Sequence, residues 1–129
     1  MQILLIDDDP EEHELFDWVL KRIDRNIKFY ATTNCKDAID DLAKEIYLQP
    51  NIIFVDGSMP EIDGKRCVLM IRENKSLTEV PIVIYSGSLS PNDQQELLAM
   101  GIYKYLEKPQ GLLDLEKELS KILEAKLVM

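Results

Sequence analysis

Residues 3–10 read Ile3-Leu4-Leu5-Ile6-Asp7-Asp8-Asp9-Pro10, an aliphatic run, three acids and a proline. An unbroken aliphatic run is what a strand covered on both faces requires. Asp-Pro behind it has the form of a helix cap followed by a first-turn proline. A strand that feeds straight into a helix starts a β-α unit. Two later runs have the same character, Ile52-Ile53-Phe54-Val55 and Ile82-Val83-Ile84-Tyr85. Two others, Ile27-Lys28-Phe29-Tyr30-Ala31 and Ile102-Tyr103-Lys104-Tyr105-Leu106-Glu107, mix in polar residues as edge strands do.

Strands are expected at about 2–6, 27–31, 51–55, 81–85 and 102–106, and helical periodicity at about 10–23, 35–48, 62–74, 91–100 and 111–126. The second helix carries an apolar stripe of Cys35, Ala38, Ile39, Leu42, Ala43 and Ile46, with Asn34 as its cap. The fourth has Ser90, Pro91 and Asp93 at its start and Gly101 as its stop. Strands one, three and four are the apolar ones and so central; two and five are edges. This predicts an α/β fold: a flavodoxin-like, doubly wound, five-stranded parallel sheet of order 2-1-3-4-5 with five helices.

The chain has 129 residues, enough for one domain with a substantial core. Its 24 acids outnumber its 15 Lys and Arg, for a net charge of −9. That balance argues against non-specific nucleic-acid binding, which needs a basic face. No apolar run approaches membrane-spanning length, so no membrane role is expected. The chain enters a strand directly after Met1, so no leader is expected and a cytoplasmic place is implied. Cys35 and Cys67 show no metal spacing and are read as reduced residues of helical faces. His13 is read as a surface residue, and Phe16 and Trp18 as packing groups. Residues 1–129 form one unit with no output domain, so output is expected through contacts.

In doubly wound sheets, sites form at the carboxyl ends of the strands. Those positions hold Asp7, Asp8 and Asp9 after strand one and Asp56 after strand three. Ser86 and Gly87 follow strand four, and Lys108 and Pro109 follow strand five. Thr32 and Thr33, after strand two, carry no evident chemistry. Carboxylates gathered in one pocket raise one another's pKa, and a hard divalent cation such as Mg²⁺ removes that conflict. A carboxylate nucleophile, Mg²⁺, a lysine and a hydroxyl together describe phosphoryl transfer. Asp9 is read simply as a cap.

With Asp7-Asp8, the segment Asp56-Gly57-Ser58-Met59-Pro60-Glu61-Ile62-Asp63-Gly64, Ser86-Gly87 and Lys108-Pro109 in this order, the whole chain resembles the receiver domain of bacterial two-component response regulators. The likeness is to stand-alone, chemotaxis-regulator-like members. It implies a phosphorelay signalling protein rather than an enzyme, one that catalyses only its own phosphorylation and dephosphorylation. Asp56 would accept the phosphoryl group as an aspartyl phosphate. Asp8, Asp56, the backbone carbonyl of Ser58 and, largely through water, Asp7 would hold Mg²⁺. Ser86 and Lys108 would bind phosphoryl oxygens, and Ser86 with Tyr105 would form the switch. The implied donor is a sensor histidine kinase or phosphotransfer protein. The implied output face is helix four, strand five and helix five, with oligomeric state, a homodimer included, left open.

The resemblance also implies a cis peptide at Lys108-Pro109. Two departures stand out. Gln110 replaces a frequent Phe, and Gly57-Ser58 replaces bulkier residues, which should leave the phosphoryl group open to water. Two rival readings compete. A haloacid-dehalogenase-type phosphatase would use Asp7 as nucleophile within Asp7-Asp8-Asp9, with Ser86 and Lys108 following. It also needs a late acidic pair, which nothing after Lys108 supplies, and it leaves Asp56 unexplained. A degenerate receiver that only binds partners would not need the intact set of acids and lysine.

Overall fold

The computed structural model describes residues 1–44 and 49–127. Five strands alternate with five helices: β1 (Gln2–Ile6), α1 (Pro10–Ile23), β2 (Lys28–Thr32), α2 (Cys35–Ala43), β3 (Ile52–Val55), α3 (Gly64–Arg72), β4 (Ile82–Ser86), α4 (Pro91–Ala99), β5 (Lys104–Glu107) and α5 (Leu112–Leu127). A single turn of 3-10 helix, Lys75–Leu77, leads from α3 toward β4. All strand pairs are parallel, in the order β2-β1-β3-β4-β5. The arrangement is the predicted flavodoxin-like one. The physical reason is visible in the burial: every residue of β3 and β4 is buried, while β2 and β5 bury one residue each.

Alternation along the strands divides the core in two. Leu4, Ile6, Ile53, Val55, Ile82 and Ile84 face α2, α3 and α4. Ile3, Leu5, Ile52, Phe54, Val83 and Tyr85 face α1 and α5. Each such side chain contributes roughly 1.5–3 kcal/mol by leaving water. Phe16 of α1 sits at the centre of the second half, edge-on to Phe54 at 5.0 Å and to Tyr85 at 5.1 Å between ring centres. Asp9, Asn34, Asp63 and Ser90 each accept a hydrogen bond from a first-turn N–H of the helix they cap. Such caps stabilise a helix by about 1 kcal/mol each.

Several expectations are corrected. Cys35 and Cys67 are not reduced; they form a disulfide, with Cα atoms 5.8 Å apart, that joins α2 to α3. Both lie on buried faces of helices adjacent on one side of the sheet, which spacing along the chain does not disclose. No cis peptide occurs among the described residues, so Lys108-Pro109 is trans. Strand five begins two residues later than expected. Gly101, at φ 88°, ends α4 in a conformation only glycine takes easily, and Ile102 then tucks back toward α4 through its N–H to the Leu97 carbonyl, 3.4 Å. Helix α2 ends at Ala43, and Ile46 of the expected stripe lies outside the described residues. Ala43 is exposed rather than part of the stripe. Trp18 is 52% exposed, with the Arg22 guanidinium 5.0 Å above its ring, so only Phe16 of that pair is a core group.

Candidate functional site

The carboxyl ends of β1 and β3 are adjacent, and each delivers an acid. The Asp7 N–H donates to the Thr32 carbonyl and the Asp56 N–H to the Ile6 carbonyl, continuing the strand ladders to the point where the side chains project. Thr32, which showed no chemistry in the sequence, thereby helps fix Asp7. Asp7 Oδ1 accepts from the Asp9 N–H at 2.9 Å, and Asp56 Oδ1 accepts from the Ser58 N–H at 3.0 Å. One oxygen of each carboxylate is thus anchored locally. Oxygens of Asp7, Asp8 and Asp56 lie within 4.8 Å of one another, close enough to share one cation. Asp7 and Asp56 are buried while Asp8 is exposed.

Lys108 reaches over from the end of β5. Its Nζ lies 3.2 Å from Asp7 Oδ2 and 3.7 Å from Asp56 Oδ2. Its backbone N–H donates to the Ser86 carbonyl at 2.8 Å. Burial pushes the Asp7 pKa up, against the Asp9 N–H and Lys108, which lower it. Burial likewise raises Asp56, against the Ser58 N–H, with Asp7 adding to the rise. Burial works to lower the Lys108 pKa, but the pull of Asp7 and Asp56 outweighs it and the net displacement is upward. The pocket therefore disfavours its own carboxylate charges and keeps its ammonium, as a site built for further positive charge does.

Ser86, buried at the end of β4, places Oγ 3.3 Å from Ser58 Oγ. Tyr105 of β5, opposite Ile84 of β4, is half-buried against the α2-α3-α4 half of the core. Asp7, Asp8, Asp56, Ser86 and Lys108 are thus brought to one end of the sheet, while Tyr105 lies further back along β5, level with Ile84.

Other contributors escaped the sequence reading. His13 is half-buried, not a free surface group, and its Nε2–H donates to the Asp7 carbonyl at 2.6 Å. The space beside Gly57 is not open. A Cβ there would stand 3.0 Å from Leu89 Cδ1, 3.2 Å from Ile84 Cγ2 and 3.3 Å from Ser86 Cβ, so a side chain at 57 would press on all three. Lys65 of α3 pairs with Asp93 and Glu96 of α4, tying those helices together. Tyr85 donates to Glu12 Oε2 at 3.2 Å, and the Lys108 Nζ stands 5.3 Å from its ring centre. Of these, only Asp93, in the first turn of α4, had a local signal in the sequence.

A doubly wound parallel sheet with clustered acids, a lysine and a serine at its carboxyl edge defines a class of phosphate-handling signalling domains. The family model of the response regulator receiver domain matches residues 3–120, and the chain belongs to that family. An uncharacterized 14.6 kDa protein of Leptolyngbya boryana is 30% identical over 115 residues, which cover 89% of this chain and 84% of that protein. Protein PilG of Pseudomonas aeruginosa is 28% identical over 109 residues, 84% of this chain and 77% of its own. Among solved structures, the Mn(2+)-bound form of response regulator Rcp1 superposes with a TM-score of 0.82 at 26% identity, over 94% of this chain and 90% of that one. Vibrio cholerae chemotaxis protein CheY4 shares the fold, with a TM-score of 0.80 at 23% identity over 94% and 97% of the two chains.

The chain is a receiver domain of two-component systems, a family whose general function is phosphorylation on an aspartate. Its members are signalling domains rather than enzymes in the ordinary sense, and they interact with histidine kinases or phosphotransfer proteins. Among the described residues no helix is long and apolar enough to cross a membrane.

Proposed function

We propose that Asp56 is the phosphoacceptor of this receiver and that the transfer to it depends on Mg²⁺. The observation that carries the assignment is the position of Lys108, between Asp7 Oδ2 and Asp56 Oδ2, with the second oxygen of Asp56 fixed by the Ser58 N–H. Asp7, Asp8 and Asp56 form an all-oxygen donor set, which suits Mg²⁺ or Mn²⁺ better than softer metals. The upward pKa displacements of Asp7 and Asp56 fit a cation as their missing partner. The Ser58 carbonyl is the proposed third kind of ligand. Bound there, the ion supplies charge that offsets the negative charge of the transferring phosphoryl group.

The chain's own residues do the rest. Ser58 N–H holds Oδ1 and leaves Oδ2 of Asp56 to attack phosphorus. The new O–P bond forms as the P–N bond to a donor phosphohistidine breaks, and the imidazole leaves. Lys108 and Ser86 Oγ take up phosphoryl oxygens. The same groups admit water for the reverse hydrolysis, so the domain catalyses only its own phosphorylation and dephosphorylation. Ser86 and Tyr105 act as the switch, and output passes to a protein target through the α4-β5-α5 face. The setting is a cytoplasmic receiver fed by a sensor histidine kinase or phosphotransfer protein, with no nucleic-acid contact.

The test is incubation with a small acyl phosphate and Mg²⁺, followed by intact mass and peptide mapping. One phosphoryl group on Asp56, lost in Asp56→Asn and without Mg²⁺, is expected. Label on any other residue, Asp7 above all, overturns the assignment.

A further inference from the structure

Lys108 is a long side chain that must hold its ammonium within a few ångströms of a reacting oxygen. A free lysine has much rotamer entropy to lose in doing so. In the metal-free pocket the two acids it faces hold it, 3.2 Å from Asp7 and 3.7 Å from Asp56. A cation shared by those same acids would repel the ammonium from them. Something outside the acid cluster has to keep the lysine in place.

The structure has such a device. Tyr85 precedes Ser86 on β4 but points to the opposite face of the sheet, into the half of the core that α1 and α5 cover. Its ring centre lies 5.3 Å from the Lys108 Nζ, inside the range of a cation–π contact. The ring is held at both ends. Phe16 meets it edge-on, and its hydroxyl donates to Glu12 Oε2 from the first turn of α1. A phenol hydrogen-bonded to a carboxylate has more electron density in its ring, so the face seen by Lys108 becomes more attractive to a cation. Glu12 adds its own negative charge on that side, and it is among the groups whose field acts on Lys108.

We propose that Tyr85 and Glu12 are positioning residues for Lys108, and so set the rate of phosphoryl transfer to Asp56 without setting the affinity for the metal. Neither touches the reacting atoms. Both act through the ammonium, Tyr85 by seating it and Glu12 by fixing and polarising Tyr85. The inference rests on the phosphoacceptor reading above. The plainer alternative is that the Tyr85–Glu12 bond only satisfies a buried hydroxyl and steadies the start of α1.

A double-mutant cycle on the full chain separates these. The rate of labelling by acetyl phosphate in saturating Mg²⁺ is measured for wild type, Tyr85→Phe, Tyr85→Leu and Glu12→Gln, each also in a Lys108→Ala background. Mg²⁺ affinity is measured in parallel by titration. Tyr85→Phe keeps the ring and loses the bond to Glu12, so labelling should slow about two- to threefold. Tyr85→Leu loses the ring and should slow it up to about tenfold, the range of a partly desolvated cation–π contact. Mg²⁺ affinity should stay within about twofold throughout, because Asp7, Asp8 and Asp56 are intact. Without Lys108 the same substitutions should have no further effect. If they slow labelling by the same factor with and without Lys108, or if Tyr85→Phe and Glu12→Gln label at the wild-type rate, the proposal fails. Should Tyr85→Leu not fold, those two conservative variants decide alone. A wild type that does not label on Asp56 at all refutes the underlying assignment instead.

Discussion

Asp56→Asn is expected to stabilise the metal-free protein while abolishing its phosphorylation. The oxygens of Asp7, Asp8 and Asp56 lie within 4.8 Å of one another, so at an effective dielectric near 20 a buried pair of them repels by about 3.5 kcal/mol. Asp8 is exposed, and solvent screens its share to about 1 kcal/mol. Lys108, at 3.7 Å, attracts Asp56 by about 4.5 kcal/mol on the same footing. The pairwise effects therefore nearly cancel, and desolvation decides the sign. It is the leading cause of the raised Asp56 pKa, and an amide does not bear it. Asn also keeps an oxygen for the Ser58 N–H. A gain of about 1–2 kcal/mol follows, within the range that relieving the desolvation of a buried polar group contributes.

The assay is urea unfolding at neutral pH in chelator, repeated at lower pH and with Mg²⁺. Because the folded-state pKa of Asp56 lies above its ordinary 3.8, the protonated acid favours the fold and the charged one opposes it. The advantage of Asn is thus full above the folded pKa, shrinks as pH falls through it, and vanishes below 3.8. Mg²⁺ at ten times its dissociation constant should stabilise wild type by about 1.4 kcal/mol and the variant, short of one ligand, by less. An Asp56→Asn protein less stable than wild type in chelator at neutral pH would refute this account of the pocket.

Four further outcomes are expected. Asp8→Asn should weaken Mg²⁺ binding about tenfold and slow labelling, with Asp7→Asn affecting the metal less; titration that finds Asp8→Asn at wild-type affinity removes Asp8 from the site. Reducing the Cys35–Cys67 bond, whose cysteines are separated by 32 in the chain, should cost about 3–4 kcal/mol by the loop-entropy relation, and urea midpoints that do not move with reductant would deny the cross-link. Gly57→Ala should cost about 1 kcal/mol, because its methyl group meets Leu89, Ile84 and Ser86 at 3.0–3.3 Å; an unchanged thermal midpoint would show that the wall yields freely. Ser86→Ala should still accept phosphate yet lose the response of residues 86–106 in amide NMR spectra, and an undiminished response would remove Ser86 from the switch.

The fold was legible because its signals are local. Burial on two faces demands unbroken aliphatic runs, so Ile3–Ile6, Ile52–Val55 and Ile82–Tyr85 announced the central strands. Caps at Asp9, Asn34 and Ser90 announced the helix starts through residues a few positions apart. Strand five was misplaced by two residues because Ile102 is apolar for a different reason: it packs back on α4 once Gly101 has turned the chain.

The strand order, the acids after strands one and three, the serine at the end of strand four and the lysine after the last strand followed from the sequence by itself. What the lysine rests on did not. Lys108 and Asp7 are 101 residues apart, and Tyr85 and Glu12 are 73 apart. The same holds for Leu89 over Gly57 and for the Cys35–Cys67 bond. Periodicity tells which face of an element is buried, but not which side chain of the neighbouring element it meets. That depends on the register of strand against strand and on how deeply each helix seats on the sheet, which close packing of the whole core decides at once.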